Sequence, residues 1–206
     1  DDSPTELHVL AKILRQGGHE AVTASDGESG IAAAKAQAPD MILMDVGASY
    51  GNYASDMTRC IPVSGKFTDR QKEIYNAVLR VKNAAAKMLV PGNDWTEYHV
   101  EVGKLMTEEL LKLKLITQEE VDKEDPDWPA YKKYFMHGTS HHMGLDTHDY
   151  GILTEPMQAG MVFTVEPGIY FPGTGGVRIE DMVLVTADGH QVLTKIPKTF
   201  QNILLR

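Results

Sequence analysis

MILMDVGASYGNYASDMTR, residues 41–59, is the stretch on which the fold turns. Its apolar opening, MILMDV, suits a strand buried on both faces. A Gly-rich turn follows. Residues 52–58 then alternate, with Tyr53, Ser55 and Met57 on one face and Ala54, Asp56 and Thr58 on the other. The stretch predicts two strands joined by a turn, each carrying one inward carboxylate: Asp45 on the first and Asp56 on the second.

Upstream, Ser3-Pro4-Thr5-Glu6 reads as a helix start with a Ser cap, Pro in the first turn and Glu three residues after the cap. Leu7, Leu10, Ala11 and Leu14 give it an amphipathic stripe, and Gly17-Gly18 ends it. A short strand over 20–24, a turn at Asp26-Gly27 and an Ala-rich helix over 28–38 lead to Pro39-Asp40 and the strand. This α-β-α-β order is the pattern of a parallel sheet with packed helices.

Downstream, Thr68 with Gln71 predicts a capping box. The helix it opens buries Ile74, Val78, Val81, Ala85 and Met88 and breaks at Pro91-Gly92-Asn93. Asn93 or Asp94 caps a second helix to about Leu113, with Val100, Leu105, Leu110 and Leu111 among its apolar positions. Residues 117–129, acidic with two prolines, form a candidate linker. After the His-rich run MHGTSHHMGLDTHD come strands over 161–166, 169–171, 177–186 and about 191–193, separated by EPG and by Gly- and Asp-Gly turns.

Composition excludes several classes. The 206 residues carry a net charge of −9 with no Lys/Arg cluster, which argues against nucleic acid or an anionic membrane as partner. No apolar run approaches a membrane span. Cys60 is the single cysteine, so no intrachain disulfide forms; a reducing, cytoplasmic setting is expected, as is the absence of a signal peptide before Asp1-Asp2. Cys60 reads as a small buried residue, and the ten Met residues as core filler.

Asp45, Asp56, His141, Glu166 and Glu180 each lie at or beside a predicted strand, so several can point to one locus. Four carboxylates and an imidazole share a buried space only if cations neutralise them. A pair of divalent ions bridged by carboxylates is the usual solution. Bland alternatives exist: a strand-end cap for Asp45, surface histidines, a plain turn at Glu166-Pro167-Gly168, and a surface ion pair of Arg178 with Glu180-Asp181.

The strings decide between these. DVGASYGNYASDMTR, HGTSHHMGLDTHD, TVEPGIY and VRIED resemble the two-aspartate, histidine and two glutamate motifs of the pita-bread metallopeptidases: Xaa-Pro aminopeptidase, prolidase and methionine aminopeptidase. The wording is nearest to bacterial Xaa-Pro aminopeptidase and covers residues 43 to about 198. The resemblance implies an α/β (α+β) fold with a pita-bread-like curved antiparallel sheet and outer helices. It implies Asp45, Asp56, His141, Glu166 and Glu180 as ligands of a dinuclear centre, with Asp56 and Glu180 bridging. His137 and His148 would handle substrate and protons, Glu166 would shuttle the proton to the leaving nitrogen, and His142 would pack at the rim. The activity implied is hydrolysis of the N-terminal peptide bond, by metal-activated water, in peptides with proline second. A carboxylate-rich set with one imidazole and no thiolate favours Mn²⁺, with Co²⁺, Fe²⁺ or Zn²⁺ as alternatives.

Residues 1–44 resemble something else. Asp1-Asp2 followed by Ser-Pro, then GHEAVTASDGESGIAAAKAQAPDMILMDV, is similar to a response-regulator receiver, a flavodoxin-like αβαβ segment. That resemblance would place Mg²⁺ on Asp1-Asp2 and make Asp45 a phospho-acceptor. It also implies two units, 1–44 receiver-like and 45–206 peptidase-like, meeting at LMDV as in a recombined or engineered chimera. The first half of the peptidase fold would then be replaced and activity impaired. Three outcomes stay open: a metal-dependent aminopeptidase, a chimera without enzymatic activity, and a phospho-acceptor module using Asp45.

Overall fold

The computed structural model describes residues 23–24, 26–37, 40–171 and 175–199. The helix expected after Ser3, most of the strand over 20–24 and the Asp1-Asp2 pair lie outside them; Thr23 and Ala24 are not in a strand. The described elements begin with α1 (Gly27–Gln37), where the Asp26 carboxylate accepts from the Ser29 N–H at the helix start.

β1 (Met41–Asp45) and β2 (Thr58–Pro62) form an antiparallel ladder that pairs Asp45 with Thr58. This bears out the expected pair of strands joined by a turn; the parallel partner expected over 20–24 lies largely outside the described residues. The expectation of burial on both faces is corrected, since Leu43 and Met44 are 36% and 37% exposed. An apolar run fixes extension but not the neighbour a strand finds. Between the strands the chain turns at Tyr50–Tyr53, which bridge each other, with Gly51 and Asn52 both at positive φ. That is the backbone of a type I′ hairpin turn, which Gly and Asn adopt at least cost. Residues 54–57 lie outside any strand, so Asp56 sits just before β2 rather than on a strand as expected.

α2 (Asp69–Ala86) and α3 (Trp95–Lys112) are antiparallel neighbours in sequence and pack on one another. Thr68 and Gln71 complete the expected capping box. Asp94, not Asn93, caps α3, its Oδ1 accepting from Thr96 and Glu97 N–H. The α2 stripe is buried as expected, apart from the partly exposed Met88, whereas Val100 of α3 faces solvent. The acidic 117–129 segment is no linker: Thr117 and Glu120 form a second capping box on α4 (Gln118–Asp122), and a 3-10 turn at Ala130–Lys133 follows.

The remaining strands pair antiparallel throughout. β3 (Val162–Val165), β6 (Asp181–Thr186) and β7 (Gly189–Val192) form one ladder, and β4 (Gly168–Phe171) with β5 (Gly175–Arg178) another. The strand expected over 177–186 is broken at Ile179–Glu180. There the Glu180 N–H leaves the ladder to donate to the Thr58 carbonyl. Val78, Val81 and Ala85 of α2, Val102, Met106 and Leu110 of α3, and Phe163, Val165, Ile169, Val183 and Val185 of the strands make one buried core. Each fully buried aliphatic side chain there contributes about 1.5–3 kcal/mol. Cys60 is fully buried, and burial pushes its thiol up to about 11.

Candidate metal centre

The break at Ile179–Glu180 lets both faces of one chain segment serve the site. Asp181 turns to α2, where Lys82 and Lys198 donate to Oδ2 and Arg59 to Oδ1. Glu180 turns the other way and accepts from Thr58 Oγ1 at 2.6 Å. Arg59 also donates to the Thr58 and Glu180 carbonyls, so β2 and the Glu180 backbone are tied by one guanidinium. Arg59, Lys82 and Asp181 are all buried, an arrangement sequence reasoning missed because its partners are scattered through the chain.

Asp56, His141 and Glu180 come together without help from neighbouring sequence: one ligand atom from each lies within 4.8 Å of the others. His141 Nε2 is 3.7 Å from Asp56 Oδ2 and 3.4 Å from Glu166 Oε1. Its Nδ1 donates to the His142 carbonyl at 2.9 Å, which leaves the Nε2 lone pair for a cation. Glu166 Oε1 accepts from Thr164 Oγ1 at 3.0 Å. Asp45, at the end of β1, is electrostatically joined to Asp56 and accepts from Arg178 Nη2. Asp56, His141 and Glu180 thus form one group, which Glu166 adjoins at His141 and Asp45 adjoins through Asp56 and Arg178.

The electrostatics show a cation-seeking donor set. Burial raises Asp45 to about 6, despite Arg178, and Glu166 to about 7. Burial, then the charges of Glu166, Asp56 and Asp45, hold Glu180 well above the ordinary carboxylate range. Asp56 is lowered: burial opposes ionisation, but hydrogen bonds with His141 and Asp45 outweigh it. Burial likewise opposes the charged His141 ring, yet Asp56 and Glu166 raise it. Four crowded carboxylates against one guanidinium and one imidazole make a site that divalent cations suit better than protons.

Arg178 is not a surface residue, which corrects that alternative. It is buried and donates to Asp45, to Thr58 Oγ1 at 3.1 Å and to the Tyr170 hydroxyl at 3.2 Å. His137 lies beyond Tyr170. Its Nδ1 faces the Gly138 carbonyl at 2.8 Å, which can only accept, so Nδ1 carries the proton. Burial and then Arg178 hold this ring neutral, down to about 4, so Nε2 accepts from Tyr170 at 2.7 Å. Both of its nitrogens are engaged within the chain. His148 is exposed, with its ring centre 4.3 Å from that of His141. His142 stacks on Trp95 at 5.9 Å and 11°, as expected for a packing residue.

Antiparallel strand ladders backed by helices, with a buried carboxylate-rich cluster around one imidazole, have the character of a metallohydrolase-type site. The profile of metallopeptidase family M24 matches residues 9–187, and the chain belongs to that family. Among curated proteins it is 39% identical to the Xaa-Pro aminopeptidase of Haemophilus influenzae, over 80% of this chain and 41% of that protein. It is 38% identical to the Escherichia coli Xaa-Pro aminopeptidase, over 75% of this chain and 38% of that one. Among solved structures it is similar to zinc-substituted E. coli aminopeptidase P in complex with product, at TM-score 0.71 and 36% identity, covering 79% of this chain and 40% of that one. It is also similar to Pseudomonas aeruginosa aminopeptidase PepP, at TM-score 0.72 and 38% identity, covering 80% and 40%. The chain thus spans about two fifths of the length of these relatives. The family match runs through the LMDV junction and into the receiver-like segment; of the expected αβαβ order, α1 and β1 are the second helix and strand, and the first helix and most of the first strand lie outside the described residues.

Proposed function

We propose that this chain carries the metal-holding half of an Xaa-Pro aminopeptidase-like hydrolase, acting on peptides with proline in the second position. The observation that carries this is the convergence of Asp56, His141 and Glu180 within 4.8 Å, with Asp45 and Glu166 beside them. Asp45, Asp56, His141, Glu166 and Glu180 would hold two divalent ions, Mn²⁺ by donor type, with Co²⁺, Fe²⁺ or Zn²⁺ as alternatives. When bound, such a pair lowers the proton affinity of water and polarises a peptide carbonyl.

The chain's own groups supply the rest. Glu166 can take a proton at one carboxylate oxygen and return it to the leaving nitrogen, while Thr164 fixes the other oxygen. His148 would donate to the developing oxyanion, a role supported by its ring lying 4.3 Å from that of His141. His137 would meet substrate only by exchanging its Tyr170 hydrogen bond, so its role is to hold Tyr170 and Arg178 in line with Asp45. No described helix is long and apolar enough to cross a membrane. We infer a cytoplasmic setting from the lone buried cysteine.

Mn²⁺ titration followed by assay with an Xaa-Pro peptide tests the proposal. Saturable binding that Glu180→Ala removes, with release of the N-terminal residue, supports it; no bound ion under saturating Mn²⁺ sinks it. Binding without hydrolysis would leave the metal-binding chimera reading. The division into 1–44 and 45–206 rests on sequence resemblance alone. Labelling by acetyl phosphate with Mg²⁺, lost in Asp45→Asn, would favour the phospho-acceptor module. The pairing of Asp45 with Arg178 and the family match from residue 9 weigh against it.

A further inference from the structure

The histidine loop is held from outside by one turn of α3. Trp95, Tyr98 and His99 stand at i, i+3 and i+4, the spacing that puts three side chains on one helix face. Each meets the loop at a different residue. The Tyr98 hydroxyl is 2.8 Å from Ser140 Oγ, His99 Nδ1 is 3.2 Å from Thr139 Oγ1, and the Trp95 ring stacks on His142. These contacts bracket His141 on both sides. Thr139 is buried, and its carbonyl accepts from the Glu166 N–H at 2.9 Å. The His141 N–H in turn donates to Thr164 Oγ1, the same hydroxyl that donates to Glu166. The clamp therefore reaches two metal-ligating positions, His141 and Glu166, through a residue that ligates nothing.

Asp94 fixes where that turn begins, because its carboxylate caps two of the first N–H groups. On its other side the loop pairs with β3, where the Thr164 and Glu166 N–H groups donate to the His141 and Thr139 carbonyls and the Met143 N–H donates to the Val162 carbonyl, so α3 and β3 hold it between them. We infer that Tyr98 and His99 are positioning residues: they set the His137–His141 loop before metal arrives and thereby set the affinity of the centre. The metal arm of this inference rests on the function proposed above; the loop arm does not.

The test uses the whole metal-free chain and amide hydrogen exchange read by residue. His99→Leu and Tyr98→Phe should each speed exchange at the His141 and Glu166 amides on the order of tenfold, the scale of one lost buried hydrogen bond. The α2 amides should not change. His99→Asn, which keeps an amide near the position of Nδ1, should restore wild-type exchange. In parallel, Mn²⁺ binding should weaken on the order of tenfold in the first two variants and recover in the third. Unchanged exchange at both amides overturns the inference. So does an equal rise in α2, which would mark a merely structural role. If the wild-type chain binds no Mn²⁺, the proposed function fails, while the exchange result still decides the clamp.

Discussion

Thr58 and Glu180, 122 residues apart, are joined by a buried hydrogen bond of 2.6 Å from hydroxyl to carboxylate. The carboxylate is 1% exposed and crowded by three other acids, so it favours its neutral form until a cation enters. Glu180→Gln should therefore leave the metal-free protein as stable as wild type or raise its Tm by about 2–4 °C, roughly 1 kcal/mol at this chain length. It should also abolish the Tm increase on adding Mn²⁺. Thermal melts with and without metal give both numbers. A large drop in the metal-free Tm would show that the charge, not the shape, of Glu180 holds the fold.

pH acts on the same crowding. Asp45 and Glu166 have folded values raised to about 6 and about 7, and burial with the neighbouring acids holds Glu180 well above the ordinary carboxylate range. A raised carboxylate adds stability that is complete below its unfolded value and lost as pH rises through its folded value. The metal-free protein should lose stability between about pH 5 and pH 8. Bound metal needs these groups ionised, so the Tm increase from Mn²⁺ should grow over the same interval. Asp56 and Asp181 are lowered and work oppositely, losing their contribution as pH falls toward strong acid. A metal-free Tm that climbs steadily to pH 8 would contradict this account.

Asp181 carries three cations behind the site. Asp181→Asn leaves Arg59, Lys82 and Lys198 without their carboxylate and should cost about 3–5 kcal/mol in urea unfolding. Lys82→Met removes one of those cations, a fully buried one that burial already pulls down to about 8. It should fall within about 1 kcal/mol of wild type or exceed it. Equal losses in the two variants would mean the cluster acts as packing rather than charge.

The hairpin leaves no room at its base. A Cβ on Gly47 would lie 2.0 Å from the Ser55 carbonyl oxygen, where Ser55 Oγ also exchanges hydrogen bonds with the Ala48 backbone. Gly47→Ala should splay the turn and displace Asp56. Mn²⁺ binding by calorimetry should weaken more than tenfold while helical circular dichroism stays intact. Retained affinity would show that Asp56 is set from β2 alone.

Much of this was legible in the chain. The caps at Thr68 and Asp94 act within a few residues, and the α2 stripe follows from a local period, so sequence carries both; the equally local cap at Thr117 was hidden in a segment that read as a linker. The five proposed ligand positions were singled out by strings, the two aspartates in one motif and His141, Glu166 and Glu180 each in its own. Sequence spoke less clearly where a contact is distant or a neighbour must be chosen. MILMDV announces an extended apolar segment, but its antiparallel partner Thr58–Pro62 and its half-open face depend on what folds against it. The break at Ile179–Glu180 looks like continuous strand because its cause, the Thr58 carbonyl, lies far back in the chain. For the same reason only the tertiary structure decided that Arg178 answers Asp45, that Asp181 answers Lys82, and that Tyr98 and His99 reach the histidine loop. Local propensity and motif fix which groups exist and how each segment is shaped. The long-range pairing of buried charges fixes what those groups do together, because a charge out of water must find its partner wherever the fold brings it.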